Sequence, residues 1–177
     1  LYVPESWPAL DRETIAGFAG KPYAEVAVDV IRPFVGGSIT DADLARMVRE
    51  AYGGFRHPGT APLVQLDSSL FVLELFHGPT LAFKDLAMQL VARLMDHALH
   101  QRGERTTIVV ATSGDTGGAA AEAFKASEQV DVVVLFPRGR ISDVQQRMMT
   151  TVSDSNVHAV AIEGTFDDCQ ALVKAMF

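Results

Sequence analysis

The chain has 177 residues, of which 48% are hydrophobic and 21% charged, ordinary for a soluble globular protein and enough for one good core or one small domain plus part of another. A formal net charge of −7 argues against nucleic acid or an anionic membrane as the main partner, but not against a small anionic ligand that answers to local charge. Cys169 is the only cysteine, which excludes an internal disulfide and fits a reducing, cytoplasmic setting, and no apolar run approaches the ~20 residues of a membrane span.

Residues 1 to 62 read as helical and irregular. Asp11-Arg12-Glu13-Thr14 opens a short helix ending at Gly17 or Gly20. Pro22 suits the first turn of a helix through Val30 or Ile31, closed by Pro33 and Gly36-Gly37. Thr40-Asp41-Ala42-Asp43 resembles a capping box with Asp in place of Glu, and Leu44, Met47, Val48 and Ala51 follow at helical spacing until Gly53-Gly54. Pro58, Gly59 and Pro62 mark a boundary, and residues 63–177 form a second region.

In that region the pattern becomes alternating. Leu63–Leu66 and Leu70–Leu75 read as strands around a turn at Asp67-Ser68-Ser69. A helix is expected from about Lys84 to His100, then a buried strand at Thr107–Ala111 and a helix from Gly117 to Ala126. A strand at Val130–Phe136, a helix from Ser142 to Thr150, a strand at Val157–Ile162 and a helix from Phe166 to Met176 complete the order. Strands alternating with helices predict an α/β fold, doubly wound around a mainly parallel sheet with right-handed crossovers. Ligands of such sheets bind at the carboxyl ends of the strands.

Three turns carry chemistry. Lys84 stands where Phe76-His77-Gly78-Pro79-Thr80-Leu81-Ala82-Phe83-Lys84-Asp85 hands over to an apolar helix. Helix starts carry partial positive charge, so a cation there is disfavoured by roughly 0.3–1 kcal/mol while Asp85 is favoured. A lysine amine that has shed its proton in a partly dry site can form a Schiff base, although taken alone Lys84 reads equally well as a surface lysine. Ala111-Thr112-Ser113-Gly114-Asp115-Thr116-Gly117-Gly118 follows an apolar strand and opens an Ala-rich helix. Its hydroxyls and free N–H groups could receive a carboxylate or phosphate, or it could be an ordinary capped turn. It matches neither a Walker A loop nor a G-x-G-x-x-G fingerprint, so ATP and NAD are not indicated. Phe136-Pro137-Arg138-Gly139-Arg140-Ile141-Ser142 offers Arg138 and Arg140 to a second anion, or is a solvated basic loop.

Taken together, Leu73–Asp85, Ala111–Gly117, Pro137–Ser142 and Phe166–Lys174 closely resemble the threonine synthase family, in that family's order. The opening Leu1-Tyr2-Val3-Pro4-Glu5 is similar to a segment some way inside the family's N-terminus, and the helical first region fits the branch with additional N-terminal helices. The resemblance implies the pyridoxal-phosphate fold of the tryptophan-synthase β-subunit group. It also implies conversion of O-phospho-L-homoserine and water into L-threonine and phosphate. By position, Lys84 would hold pyridoxal 5′-phosphate as an aldimine and then shuttle protons at the substrate Cα and Cβ. Asp115 would lie near the cofactor's 3′ oxygen, where many relatives in the wider fold group carry Asn. Thr112, Ser113, Gly114, Thr116 and Gly117 would meet the substrate, and Arg138 or Arg140 its phosphate. The family's glycine-rich loop for the cofactor phosphate, and the residue at the pyridine nitrogen, are expected beyond this chain.

The first residue is Leu1, and a helical pattern still runs at Phe177, so the chain is expected to be the N-terminal part of a longer protein and inactive alone. Its competing readings are a related pyridoxal-phosphate lyase or dehydratase acting on a hydroxy or phospho amino acid, and a non-catalytic binding module. A homo-oligomer is compatible with either enzyme reading. The histidines show no metal-ligand spacing, so no metal is expected. His57 is expected to be solvated, Trp7 to pack on the helical region, and Cys169 to be a small buried apolar residue rather than a nucleophile.

Overall fold

The computed structural model describes residues 3–176; Leu1 and Tyr2 of the opening segment, and Phe177, lie outside the described residues. The first region is three helices: α1 (Arg12–Ala16), α2 (Tyr23–Val35) and α3 (Asp41–Tyr52). Asp11 caps α1 by accepting the Thr14 N–H at 2.8 Å. Helix α2 runs four residues past the expected stop at Ile31 and carries Pro33 inside it. Proline at that point deletes only the N–H that would have reached the Asp29 carbonyl, and Gly36, at φ 53°, ends the helix by donating to the Arg32 carbonyl. Thr40 caps α3 through the Asp43 N–H at 3.1 Å, but the short Asp43 side chain meets the Thr40 hydroxyl rather than its backbone. The expected box is thus half formed, for want of one methylene.

A two-stranded antiparallel ribbon follows, β1 (Leu63–Gln65) and β2 (Phe71–Leu73), in register Leu63 with Leu73. It is shorter than the apolar runs suggest, every strand residue is exposed, and it is not joined to the main sheet. Asp67 closes its turn by accepting the N–H groups of Ser69 and Leu70.

The α/β part consists of α4 (Asp85–Arg102), β3 (Thr106–Ala111), α5 (Asp115–Phe124), β4 (Val130–Pro137), α6 (Asp143–Thr150), β5 (Val157–Ile162) and α7 (Phe166–Met176). Its sheet is parallel, in the order β3-β4-β5. Both crossovers step the same way across the sheet, so right-handedness puts α5 and α6 on one face. Val130, Val132 and Val134 of central β4 are fully buried and pack with Ala92, Ala120, Phe124 and Met149. Each such apolar side chain contributes about 1.5–3 kcal/mol on burial. Asn156 pins this layer by donating to the carbonyls of Phe124 and Val130, both at 2.8 Å.

The helical region is not closed on itself. Leu90 of α4 completes the cluster of Val28, Leu44, Met47, Val48 and Ala51, with Leu94 packed against it. The Tyr52 hydroxyl, pushed up by burial and by neighbouring Tyr23, donates to the Leu86 carbonyl at 3.0 Å. Ala92, Met95 and Leu99 on the same helix serve the sheet core. Helix α4 therefore belongs to both cores, and Lys84 stands at its start.

Candidate functional site

Lys84 is the N-cap residue of α4, with helical backbone (φ −64°, ψ −20°) but no side-chain cap. Its Nζ rests 4.2 Å from the centroid of the Phe83 ring, within cation–π range. Among the described residues the amine makes no hydrogen bond or ion pair. Phe76, Leu81 and Phe83 of the same segment are exposed.

The turn that presents Lys84 is built by its neighbour. Asp85 is completely buried, and its carboxylate reaches back to accept the Thr80 N–H at 2.8 Å and the Thr80 hydroxyl at 2.7 Å. A Cβ at Gly78 would fall inside that carboxylate, so glycine is required there by close approach. The clamp also holds Leu81 at φ 63°, a conformation that an L residue adopts only at a cost of about 1 kcal/mol or more. The sequence marks Asp85 as favourable at a helix start; it does not reveal that the carboxylate is turned inward.

In the second turn the residues divide by burial. Thr112 is buried, and its Oγ1 accepts the N–H groups of Gly114 and Gly117, each at 2.9 Å. Its oxygen accepts twice from the loop backbone, so Thr112 supports from inside the turn that carries Ser113. The same bonds start α5 at Asp115, two residues before the expected Gly117. Gly114, at φ 140°, has a backbone that only glycine adopts freely. Ser113 and Asp115 are exposed and Thr116 half-buried, and no protein acceptor takes the N–H groups of these three residues among the described residues. Free N–H groups at a helix start are suited to an anion.

The third turn lies beside the second. Ser142 caps α6 in a full capping box with Gln145, which the sequence spells as Ser-x-x-Gln. The Gln145 Nε2 donates to Asp115 Oδ1 at 2.7 Å, so a single side chain ties the end of β4 to the end of β3. Arg138 is paired through its Nε with Glu163 at 2.7 Å, both groups exposed. Arg140 is exposed, and its charge helps hold the Asp168 carboxyl below the usual carboxylate range, after the larger effects of the Thr165 N–H and hydroxyl. The structure thus brings the Ser113–Gly117 loop and the Arg138–Ser142 turn together at the carboxyl end of the sheet. Lys84 enters separately, at the head of α4.

Cys169 is buried, and burial pushes its thiol up, with Asp168 adding to the effect. That is the environment of an inert packing residue. Trp7 is 76% exposed, contrary to the expectation that it packs on the helices. His57 is half-buried rather than solvated: its Nδ1 accepts the Gly59 N–H at 3.0 Å, and its ring lies 5.0 Å from that of His77.

A family model described as the threonine synthase N terminus matches residues 1–52, and one described as pyridoxal-phosphate dependent enzyme matches residues 55–177. A threonine synthase of Pseudomonas aeruginosa is 55% identical over the whole chain, which covers 38% of that relative. The crystal structure of PLP-bound threonine synthase from Brucella melitensis superposes with a TM-score of 0.95 at 63% identity, over all of this chain and 38% of that one. Threonine synthase from yeast superposes with a TM-score of 0.92 at 39% identity, over 99% of this chain and 37% of that one. The chain thus spans little more than a third of the proteins it matches.

Proposed function

The chain belongs to the pyridoxal-phosphate dependent enzymes, and on that premise we propose that it acts as a threonine synthase, turning O-phospho-L-homoserine and water into L-threonine and phosphate. Lys84 carries this reading. An amine with no hydrogen-bond or ion-pair partner among the described residues, on a turn clamped from beneath by a buried carboxylate, fits a lysine kept for a cofactor aldehyde. The cofactor, when bound, supplies an electron sink for carbanions on the substrate. Lys84 would hold it through the side-chain amine and, with that amine free, would move protons at the substrate Cα and Cβ.

The loop after β3 supplies the anion site. The free N–H groups of Ser113, Asp115 and Thr116, with the Ser113 and Thr116 hydroxyls, bind negative groups of the substrate, while Gly114 and Gly117 let the backbone come close. Thr112 supports that loop from inside. Asp115 would face the cofactor's 3′ oxygen. Arg138 and Arg140 take the substrate phosphate, Arg138 leaving Glu163 to do so. Among the described residues no helix is long and apolar enough to cross a membrane, and with one buried cysteine the chain suits a reducing, cytoplasmic setting.

The test is borohydride reduction of the full-length, cofactor-loaded protein followed by peptide mass analysis. The adduct is expected on the peptide containing Lys84, and Lys84→Ala is expected to lose both the adduct and phosphohomoserine turnover. Retention of either would overturn the assignment. Faster turnover of free serine or threonine than of phosphohomoserine would favour the related lyase instead.

A further inference from the structure

We propose that Gln145 is a positioning residue that sets the Asp115 carboxylate and locks the Ser113–Gly117 loop to the Arg138–Ser142 turn. The inference rests on the reading of these two segments as one site. Gln145 is the third residue of α6, and its amide is used at both ends. The Oε1 accepts from the Ser142 N–H at 3.3 Å and from the Ser142 hydroxyl at 2.9 Å, while Nε2 donates to Asp115 Oδ1 at 2.7 Å. The orientation is fixed chemically, because the flipped amide would set oxygen against a carboxylate and nitrogen against an N–H. To make this reach the side chain passes directly over Gly114, where a Cβ would fall inside the amide.

The cap does not explain the choice of residue. Glutamate completes a capping box as well as glutamine does. At position 145, however, it would set a second carboxylate against Asp115. An amide serves both neighbours: an acceptor for Ser142 and a donor for Asp115. Donation to Oδ1 keeps that oxygen an acceptor and leaves Oδ2 as the face that Asp115 can turn to a ligand. The charged residues on the elements that carry or flank this pair are Asp143 and Arg147 on α6, Arg138 and Arg140 on the preceding turn, and Glu163 and Asp168 after β5. Arg138 is engaged by Glu163, and Asp168 by Thr165.

Two substitutions in the full-length protein separate positioning from capping. Gln145→Glu keeps the box but replaces the donor by an acceptor. At pH 5 the two carboxyls can share a proton that stands in for the amide N–H. At pH 8 that proton is gone and like charges meet. The thermal midpoint of this variant is therefore expected to lie below the parent's at pH 8 and closer to it at pH 5. Its phosphohomoserine kcat/KM is expected to fall by about tenfold or more at pH 8, and less at pH 5. Ser142→Ala removes the hydroxyl from the cap but leaves the amide on Asp115. It is expected to lower the midpoint equally at both pH values and to keep the shape of the parent's pH profile. A Gln145→Glu variant that tracks the parent at both pH values, or a Ser142→Ala variant that reproduces its pH dependence, would overturn the proposal. The pH dependence of the midpoint reads the Gln145–Asp115 contact with or without cofactor. A parent protein with no Lys84 adduct would therefore sink the cofactor reading alone.

Discussion

Two helix starts in this molecule solve the same problem in opposite directions. Before α4, a buried carboxylate at the first helical residue reaches back to hold Thr80. Before α5, a buried hydroxyl reaches forward to hold Gly114 and Gly117. Each turn spends one inward polar side chain on its own backbone. In each case neighbouring groups are left without a protein hydrogen bond among the described residues: the Lys84 amine beside Asp85, and the N–H groups of Ser113, Asp115 and Thr116 beside Thr112. The buried polar residues at these two turns hold backbone, and the candidate residues Lys84 and Ser113 stand next to them in the chain. The supports differ in strength, because a charged acceptor with two bonds is costlier to remove than a neutral one.

That ranking can be broken by measurement. Asp85→Ala is expected to cost the most, about 3 kcal/mol or more in urea unfolding, since it strands the buried Thr80 N–H and hydroxyl; Asp85→Asn, which keeps an acceptor, is expected to cost about 1 kcal/mol. Thr112→Val keeps the shape but leaves the Gly114 and Gly117 N–H groups without their acceptor, an expected loss of about 2 kcal/mol, whereas Thr112→Ser is expected to stay within about 1 kcal/mol. Equal losses for Asp85→Ala and Thr112→Val would erase the distinction between the two turns. Arg138→Ala removes only an exposed ion pair with Glu163 and is expected to change stability by less than about 1 kcal/mol. Because it faces outward beside the loop, its expected effect is a raised KM for phosphohomoserine. A large stability loss would show that Arg138 belongs to the scaffolding after all.

The parallel sheet was legible because buried strands are written as continuous apolar runs, and Val130–Phe136 is the clearest of them. The Ser142 cap was legible for a similar reason, since it is local. What escaped was orientation. Thr112 and Ser113 are adjacent hydroxyls, and nothing in their order tells which faces the protein. Gln145 meets Asp115 across 30 positions, a distance that no turn signal spans. The path of α2 through Pro33 escaped because packing against α3 outweighs one missing hydrogen bond. The ribbon at Leu63–Leu73 was recognisable as two strands, but its separation from the main sheet was not.

Helix α4 has a further consequence. With Leu90 and Leu94 sunk into one core and Ala92, Met95 and Leu99 into the other, it is keyed on two sides and cannot turn about its own axis without opening both. Lys84 rides on the end of that shaft. The azimuth of its amine is therefore set as much by α2 and α3, which precede it, as by the sheet that follows. A loosened contact in α3, far from any chemistry, would be transmitted to the lysine as torque.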